Sequence, residues 1–411
     1  MARGMILVFN SGSSTLKFGC FEAKTLDALA TGVIDWGGGQ DIAIALDKDG
    51  VELLRNKGSV MGYRAAVGEA LRILSETGVV AEGAKGLGIS AVGHRVVHGG
   101  TRFRASITVD AEVKKAIREL SVLAPLHNPP ALEVIEAAQM ALGSIPHVAV
   151  FDTAFFADLP ARSHVYPLPY AWYSDWGIRR FGFHGISHEY CSGRAAELGS
   201  AEARSSIVIC HLGNGCSAAA VRDGRPVATT MGFTPLEGLM MGSRAGSFDP
   251  GILIHVQREK ALSPESLSGI LHHESGLLGV SGISQHFRDV EQAAAEGVER
   301  AVLALAIYAD RVRATVGSLT VTLGAIDALV FTGGVGENSA ALRAAACDGL
   351  QCLDIHLDPE KNHRTGADRD IAASRSRARI WVIHTREELM IARETRRVID
   401  RFAGHAVNLP K

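Results

Sequence analysis

The sequence predicts an α/β protein of two related halves, and three features carry that prediction. Strand-like apolar segments are followed by alternating helical and strand segments, and this order begins twice along the 411 residues. A strand–turn–strand unit around Asn10-Ser11-Gly12-Ser13-Ser14 recurs around His211-Leu212-Gly213-Asn214-Gly215, which points to an internal duplication. A third glycine-rich turn, Gly333-Gly334-Val335-Gly336-Glu337-Asn338, follows another apolar strand. Backbone N–H groups exposed by such turns make anion-binding concavities, so the three together point to phosphate handling.

In chain order, residues 5–22 read as a hairpin and 29–34 as a third strand. Helical periodicity spans 63–77 and stops at Gly78, the residue expected just past a helix end. A strand at 88–92 delivers residues 93–100, Gly-His-Arg-Val-Val-His-Gly-Gly. A helix at 111–123, a proline-bearing loop at 125–130 and a helix reaching 142 follow, and the strand 147–151 ends at Asp152. Strands then return at 207–210, 217–221 and 227–230, with the turn dipeptide Asp223-Gly224 before the last. The clearest later helix is 298–315; the strand 326–331 enters the third turn, and the strand 380–383 precedes a helix at 387–402. The domain boundary falls near residue 150.

Composition narrows the function. The chain is 47% hydrophobic and 21% charged with a net charge of −2, which suits an ordinary globular protein and argues against a nucleic-acid binder. No run of eighteen apolar residues exists, and residues 5–9 are too short for a secretory core, so neither a membrane span nor a signal peptide is expected. Six cysteines without a C-x-x-C pair fit buried free thiols in a reducing cytoplasm.

Several familiar motifs are absent. There is no Walker A sequence, and Ser339 stands where a dinucleotide fingerprint needs its last glycine. His184 and His188 have zincin spacing, but Gly185 replaces the required glutamate. Ser14-Thr15-Leu16-Lys17 matches S-x-x-K with none of its companion motifs. In the first turn, period-two alternation puts Ser13, Thr15 and Lys17 on one face, with Leu16 and Phe18 toward the core. That face suits a phosphate chain; a polar hairpin in water is the competing explanation. Arg95 and Arg244, each in or beside a glycine-bearing loop, can grip a carboxylate or phosphoryl group through paired donors, although either alone is more often a surface residue. Asp152 is the best-placed carboxylate of the first half, and His184 is either a satisfied core histidine or a donor to a charged transition state.

Together these stretches closely resemble the acetate kinases, of the acetate and sugar kinase, Hsp70 and actin superfamily, from about residue 5 to 398. The most specific segments are 10–18, 93–100, 151–155, 181–188, 211–217, 229–242, 274–282, 331–339 and 387–393. The resemblance implies two duplicated actin-like (ribonuclease H-like) ATPase domains with an active-site cleft between them. Residues 1–150 plus about 386–411 would form the first. Residues 151–385 would form the second, with most nucleotide contacts and the homodimer interface. It further implies reversible in-line phosphoryl transfer between ATP and acetate with Mg²⁺, Mn²⁺ being an alternative.

By that resemblance Asn10 and Glu387 are metal-site residues and Lys17 contacts nucleotide phosphate. Arg95 holds the acetyl substrate, Asp152 is the essential carboxylate, and His184 and Arg244 stabilise the transition state. His211, Leu212, Gly213, Asn214 and Gly215 match nucleotide-binding positions. So do His286, Phe287 and Arg288, and likewise Gly334, Val335, Gly336, Glu337 and Asn338. Val97, Leu126, Phe183 and Pro235 match the pocket for the acetate methyl.

Four positions depart from the pattern: Phe156 for histidine, Ala131 for asparagine, Ser247 for aspartate and His286 for an aspartate that accepts hydrogen bonds from the nucleoside. Ser247 removes a negative charge expected near Arg244. His286 weighs most, because a neutral imidazole offers one acceptor where a carboxylate accepts two hydroxyls. Competing activities are a propionate or butyrate kinase, a relative using GTP or pyrophosphate, and an actin- or Hsp70-like ATPase switch.

Overall fold

The computed structural model describes residues 4–12, 14–36, 42–47, 50–57, 60–79, 88–199, 206–366 and 368–406; Ser13, expected on the polar face of the first turn, lies outside them. The chain separates into two compact units, Met1–Ala157 with Arg386–Lys411, and Asp158–Thr385.

The first unit is built on eight strands in the order β5-β4-β3-β2-β1-β6-β8-β7. These are β1 (Met5–Ser11), β2 (Thr15–Glu22), β3 (Ala28–Asp35), β4 (Ile42–Asp47), β5 (Glu52–Lys57), β6 (Ile89–Val96), β7 (Ile107–Thr108) and β8 (His147–Phe151). The second unit has six, ordered β11-β10-β9-β12-β14-β13. They are β9 (Ser206–Leu212), β10 (Cys216–Arg222), β11 (Arg225–Thr229), β12 (Ala328–Thr332), β13 (Arg369–Asp370) and β14 (Arg379–Val382).

The duplication is visible in the pairing. β3-β2-β1-β6-β8 and β11-β10-β9-β12-β14 share one plan, an antiparallel meander of three strands followed by two parallel strands. The expected hairpins superimpose on it, with Ser11 opposite Leu16 and Leu212 opposite Cys216 across their turns. The central parallel strands are unbroken apolar runs because both faces are covered; β8 and β12 are buried throughout.

In the first unit, helices Tyr63–Glu76 and Asn128–Leu142 supply Ala66, Val67, Ala70, Val134 and Ala138 to a core with Leu7, Phe9, Leu16, Phe18 and Val92. Helix Glu387–Ala406 packs on β1 and β6. Gly93 makes that approach feasible: a β-carbon there would lie 2.3 Å from Thr395 Oγ1 and 2.8 Å from Ile391 Cγ2. In the second unit, helices Gly185–Leu198 and Glu299–Leu323 pack on its strands.

Four expectations change. Residues 151–157 belong to the first unit, because Asp152 N–H donates to Val96 O (3.0 Å) and Thr153 Oγ1 accepts from Gly99 N–H (3.0 Å). Strands β4 and β5 extend the sheet where no strand was expected, and the helix expected at 298–315 runs on to Leu323. The third glycine segment is the short helix Gly333–Asn338. Gly333 turns the chain there at φ 78°, with its α-carbon pressed against the Leu212 backbone.

Two buried histidines meet between β6 and β8, His94 Nε2 lying 2.9 Å from His147 Nδ1. Burial holds His94 well below its ordinary range with His147 adding to it; burial and then Lys114 bring His147 down to about 4. Unfolding lets both take up protons near pH 6.5. The stability they contribute is therefore complete above about pH 6.5 and lost as pH falls toward 4. Urea unfolding of wild type should show that drop between pH 7 and 4.5, and a His94→Leu/His147→Leu variant a shallower one; equal slopes would mean that the pair does not set the acid sensitivity.

Candidate active site

Each unit gathers its polar side chains at the C-terminal ends of its parallel strands, where open α/β sheets bind ligands. In the first unit Asn10 ends β1, Arg95 lies in the last two residues of β6 and Asp152 follows β8. Arg95 Nη2 donates to Asp152 Oδ2 (2.6 Å), Nε to Oδ1 and Oδ2 (3.1 and 3.2 Å), and Nη1 to Asn10 Oδ1 (3.1 Å). The Asn10 amide in turn donates to Glu387 Oε2 (2.9 Å) and Glu388 Oε1 (3.1 Å). Both glutamates sit in the first turn of helix Glu387–Ala406, where the helix dipole favours negative charge.

Asn10 and Asp152 are buried and the Arg95 side chain is 15% exposed. Burial pulls the Arg95 pKa down, but the charges of Asp152, Glu387 and Glu388 and the hydrogen bonds to Asp152 raise it overall. Lys17 faces Asn10 across β1 and β2 and is exposed, with Leu16 and Phe18 buried on the other face as expected. The loop after β6 is pinned by Asn128, whose amide exchanges two 3.0 Å hydrogen bonds with the His98 backbone.

In the second unit His184 caps helix Gly185–Leu198 from the left-handed region (φ 56°, ψ 26°), an uncommon conformation for a side chain with a β-carbon. Its Nδ1 is 2.9 Å from Ser217 Oγ, which is also 2.8 Å from His188 Nε2. Ser187 Oγ lies 2.8 Å from His211 Nδ1 and 2.9 Å from Thr385 Oγ1. Arg244 Nη1 donates to Pro235 O (2.6 Å). Burial lowers its pKa, with the Cys216 thiol opposing that, and no carboxylate pairs with it among the described residues. Gly215 brings these groups together: a β-carbon there would lie 2.7 Å from Arg244 Nη2 and 3.3 Å from His184 Nε2.

The predicted nucleotide segments converge within the second unit. Gly213, Asn214, His286, Phe287, Arg288, Gly334, Val335 and Asn338 line a cavity of about 330 Å³. Leu212 is buried, and Leu212, Gly215, Gly336 and Glu337 do not line it. Glu337 is turned inward. It accepts from Gly333 N–H (3.0 Å) and Thr385 N–H (3.1 Å) and pairs with His384 Nδ1 (2.5 Å), and burial, which alone would raise its pKa, is outweighed by these partners.

The four methyl-pocket residues fall two to each unit, Val97 and Phe183 buried and Leu126 46% exposed. Of the four departures, Ser247 binds the Gly238 backbone (Oγ accepting from N–H, 3.1 Å), and Arg244 is held by Pro235 instead. Phe156 and Ala131 are buried, and His286 is exposed at the rim of the cavity. Sequence reasoning missed Glu388, Asn128, Ser187 and Ser217, of which only Glu388 had a local signal, its place beside Glu387 at a helix start.

Fold and pairing define the class, a duplicated actin-like α/β protein. The model of the acetokinase family matches residues 5–393. An acetate kinase from Gloeobacter violaceus is 49% identical over 401 residues, covering 95% of this chain and 98% of its own. The crystal structure of Porphyromonas gingivalis acetate kinase is 37% identical with a TM-score of 0.85, covering 96% of this chain and all of its own (100%). That of a Francisella tularensis propionate kinase is 36% identical with a TM-score of 0.87 at the same coverage, 96% and 100%. The chain belongs to the acetokinase family.

Glu337 holds backbone amides of the second unit in place. Glu337→Ala leaves the Gly333 and Thr385 amides without their acceptor and should cost about 1–3 kcal/mol, read as a lowered melting temperature. An unchanged melting temperature would return the carboxylate to ligand binding.

Proposed function

We propose that the chain transfers the γ-phosphoryl group of ATP directly and reversibly to acetate, giving ADP and acetyl phosphate. Membership of the acetokinase family makes it a phosphotransferase with a carboxyl acceptor. The observation that carries the reading is the meeting at Gly215 of an imidazole nitrogen and a guanidinium that has no carboxylate partner among the described residues. Phosphoryl transfer asks the protein to position reactants and to neutralise charge on the equatorial oxygens, which these two donors suit.

Arg95 is the acceptor-binding group. A guanidinium has five N–H donors, and the contacts to Asp152 and Asn10 use one each on Nε, Nη1 and Nη2. One N–H remains on each terminal nitrogen and can serve a carboxylate. Acetate is ionised at neutral pH, so no general base is required. Asp152 then acts by fixing Arg95 in charge and orientation.

Asn10, Glu387 and Glu388 fit a Mg²⁺ site. Two carboxylates lie within hydrogen-bonding reach of the Asn10 amide. Among the described residues no cluster of three His, Cys, Asp or Glu side chains could hold a metal ion, so water and phosphate oxygens would complete the shell. Bound there, the cation supplies neutralisation of the phosphate chain. The 330 Å³ cavity takes the nucleoside, with His286 at its rim. A homodimer is supported by Ile252, Ile254, Val302 and Leu303 exposed on the second unit. The five buried free thiols suit a reducing cytoplasm. No helix among the described residues is long and apolar enough to cross a membrane.

Trapping acyl phosphate with hydroxylamine tests the reading, using acetate, propionate and butyrate against ATP, GTP and pyrophosphate. Acetate with ATP should give the most hydroxamate, and none under any pairing would overturn the assignment. Propionate is the runner-up because one methylene in an apolar pocket is worth only about 1–3 kcal/mol.

Arg244→Ala should lower kcat by about 10²–10³ with an unchanged circular dichroism spectrum. Arg95→Ala also removes the cation that pairs with buried Asp152, at about 3–5 kcal/mol of stability. Arg95→Lys keeps the charge but loses the paired donors, and should raise KM for acetate while the fold holds.

A further inference from the structure

Ser217 sits between two imidazoles, 2.9 Å from His184 Nδ1 and 2.8 Å from His188 Nε2. Ser217 and His188 are fully buried, where a hydrogen bond between hydroxyl and imidazole is favoured. A hydroxyl carries one proton. With both rings neutral it can donate to one nitrogen while accepting from the other, which couples the two tautomers. If His188 carries its proton on Nε2, Ser217 accepts it and donates to His184 Nδ1, which leaves the His184 proton on Nε2. If the order is reversed, His184 presents a lone pair at Nε2.

The geometry at Gly215 separates these arrangements. His184 Nε2 and the Arg244 guanidinium flank the same α-carbon, beside the turn 213–215 and therefore beside the proposed phosphoryl path. An anion arriving there needs donors on both sides, and a lone pair on Nε2 would repel it. A neighbouring guanidinium also disfavours a second positive charge on His184. The arrangement that serves the anion is the neutral ring protonated on Nε2. The left-handed backbone of His184 starts the helix on which His188 lies one turn later, so both rings reach one hydroxyl.

We propose that Ser217 and His188 are positioning residues that fix the neutral Nε2–H tautomer of His184 and so make it a hydrogen-bond donor to the transferring phosphoryl group. The proposal rests on the phosphotransferase reading of the site. Nothing in it moves a proton during turnover: the relay sets a dipole in advance, which is how preorganised sites lower barriers.

Nitrogen-15 imidazole spectra of the full-length protein test it without any substrate. His184 should show the Nε2–H pattern in wild type and in Ser217→Thr, and lose it in Ser217→Ala. Kinetically, Ser217→Ala should lower kcat at least tenfold with KM for acetate and ATP within threefold. Ser217→Thr and His188→Gln, whose amide still donates, should keep at least a third of kcat.

A wild-type His184 protonated on Nδ1, or a Ser217→Ala enzyme with unchanged kcat, would overturn the proposal. Equal losses in Ser217→Ala and Ser217→Thr with an unchanged His184 spectrum would reduce Ser217 to a packing residue and overturn it too. Absence of hydroxamate formation by wild type would instead remove the phosphotransferase reading, a result visible before any variant is made.

Discussion

One buried ion pair organises the strand ends of the first unit. Arg95 and Asp152 come from adjacent parallel strands, and their pairing fixes where β6 and β8 stop relative to each other. A buried carboxylate without its cation would be costly, so the rest of the cluster is arranged around keeping both. Asn10 extends the chain of contacts to a third strand and, through its amide, to the first turn of the C-terminal helix. Charge, strand register and helix placement are thus set together. The same guanidinium that holds the framework keeps one N–H on each terminal nitrogen beyond these contacts.

The second unit answers the same problem with fewer charges. Its donors lie around Gly215, where the lack of a side chain lets the Arg244 guanidinium and the His184 ring approach one α-carbon. Arg244 is tied to a carbonyl, which orients it without cancelling its charge. Anionic groups therefore meet a fixed positive field, whereas in the first unit the positive charge is largely balanced by carboxylates.

Much of this was legible in the sequence because function sits at predictable places on strands. Asn10, Arg95 and Asp152 each mark the point where an apolar run meets a polar residue, and the first hairpin and a third strand after it could be read from the apolar runs and the turn between them. What stayed hidden depends on partners far away along the chain. Glu388 meets Asn10 across 378 residues, and Ser217 takes its role from histidines on a separate helix. The bonds of Glu337 to Thr385 and His384 likewise depend on residues nearly fifty positions away, which no local pattern reveals. Strands β4 and β5 escaped notice because short Ile-Ala alternation between aspartates carries little hydrophobic signal.

The helix Glu387–Ala406 also has a consequence for how the protein is made. It belongs to the first unit but leaves the ribosome only after the whole of Asp158–Thr385. Until then, the face of β6 around Gly93 lacks the helix that packs there, and Asn10 lacks both glutamates. Domains generally mature in order of synthesis; here the first to emerge is the last to be completed. A growing chain therefore cannot complete this cluster, and the C-terminal helix both covers β6 and brings the two glutamates of its first turn to Asn10.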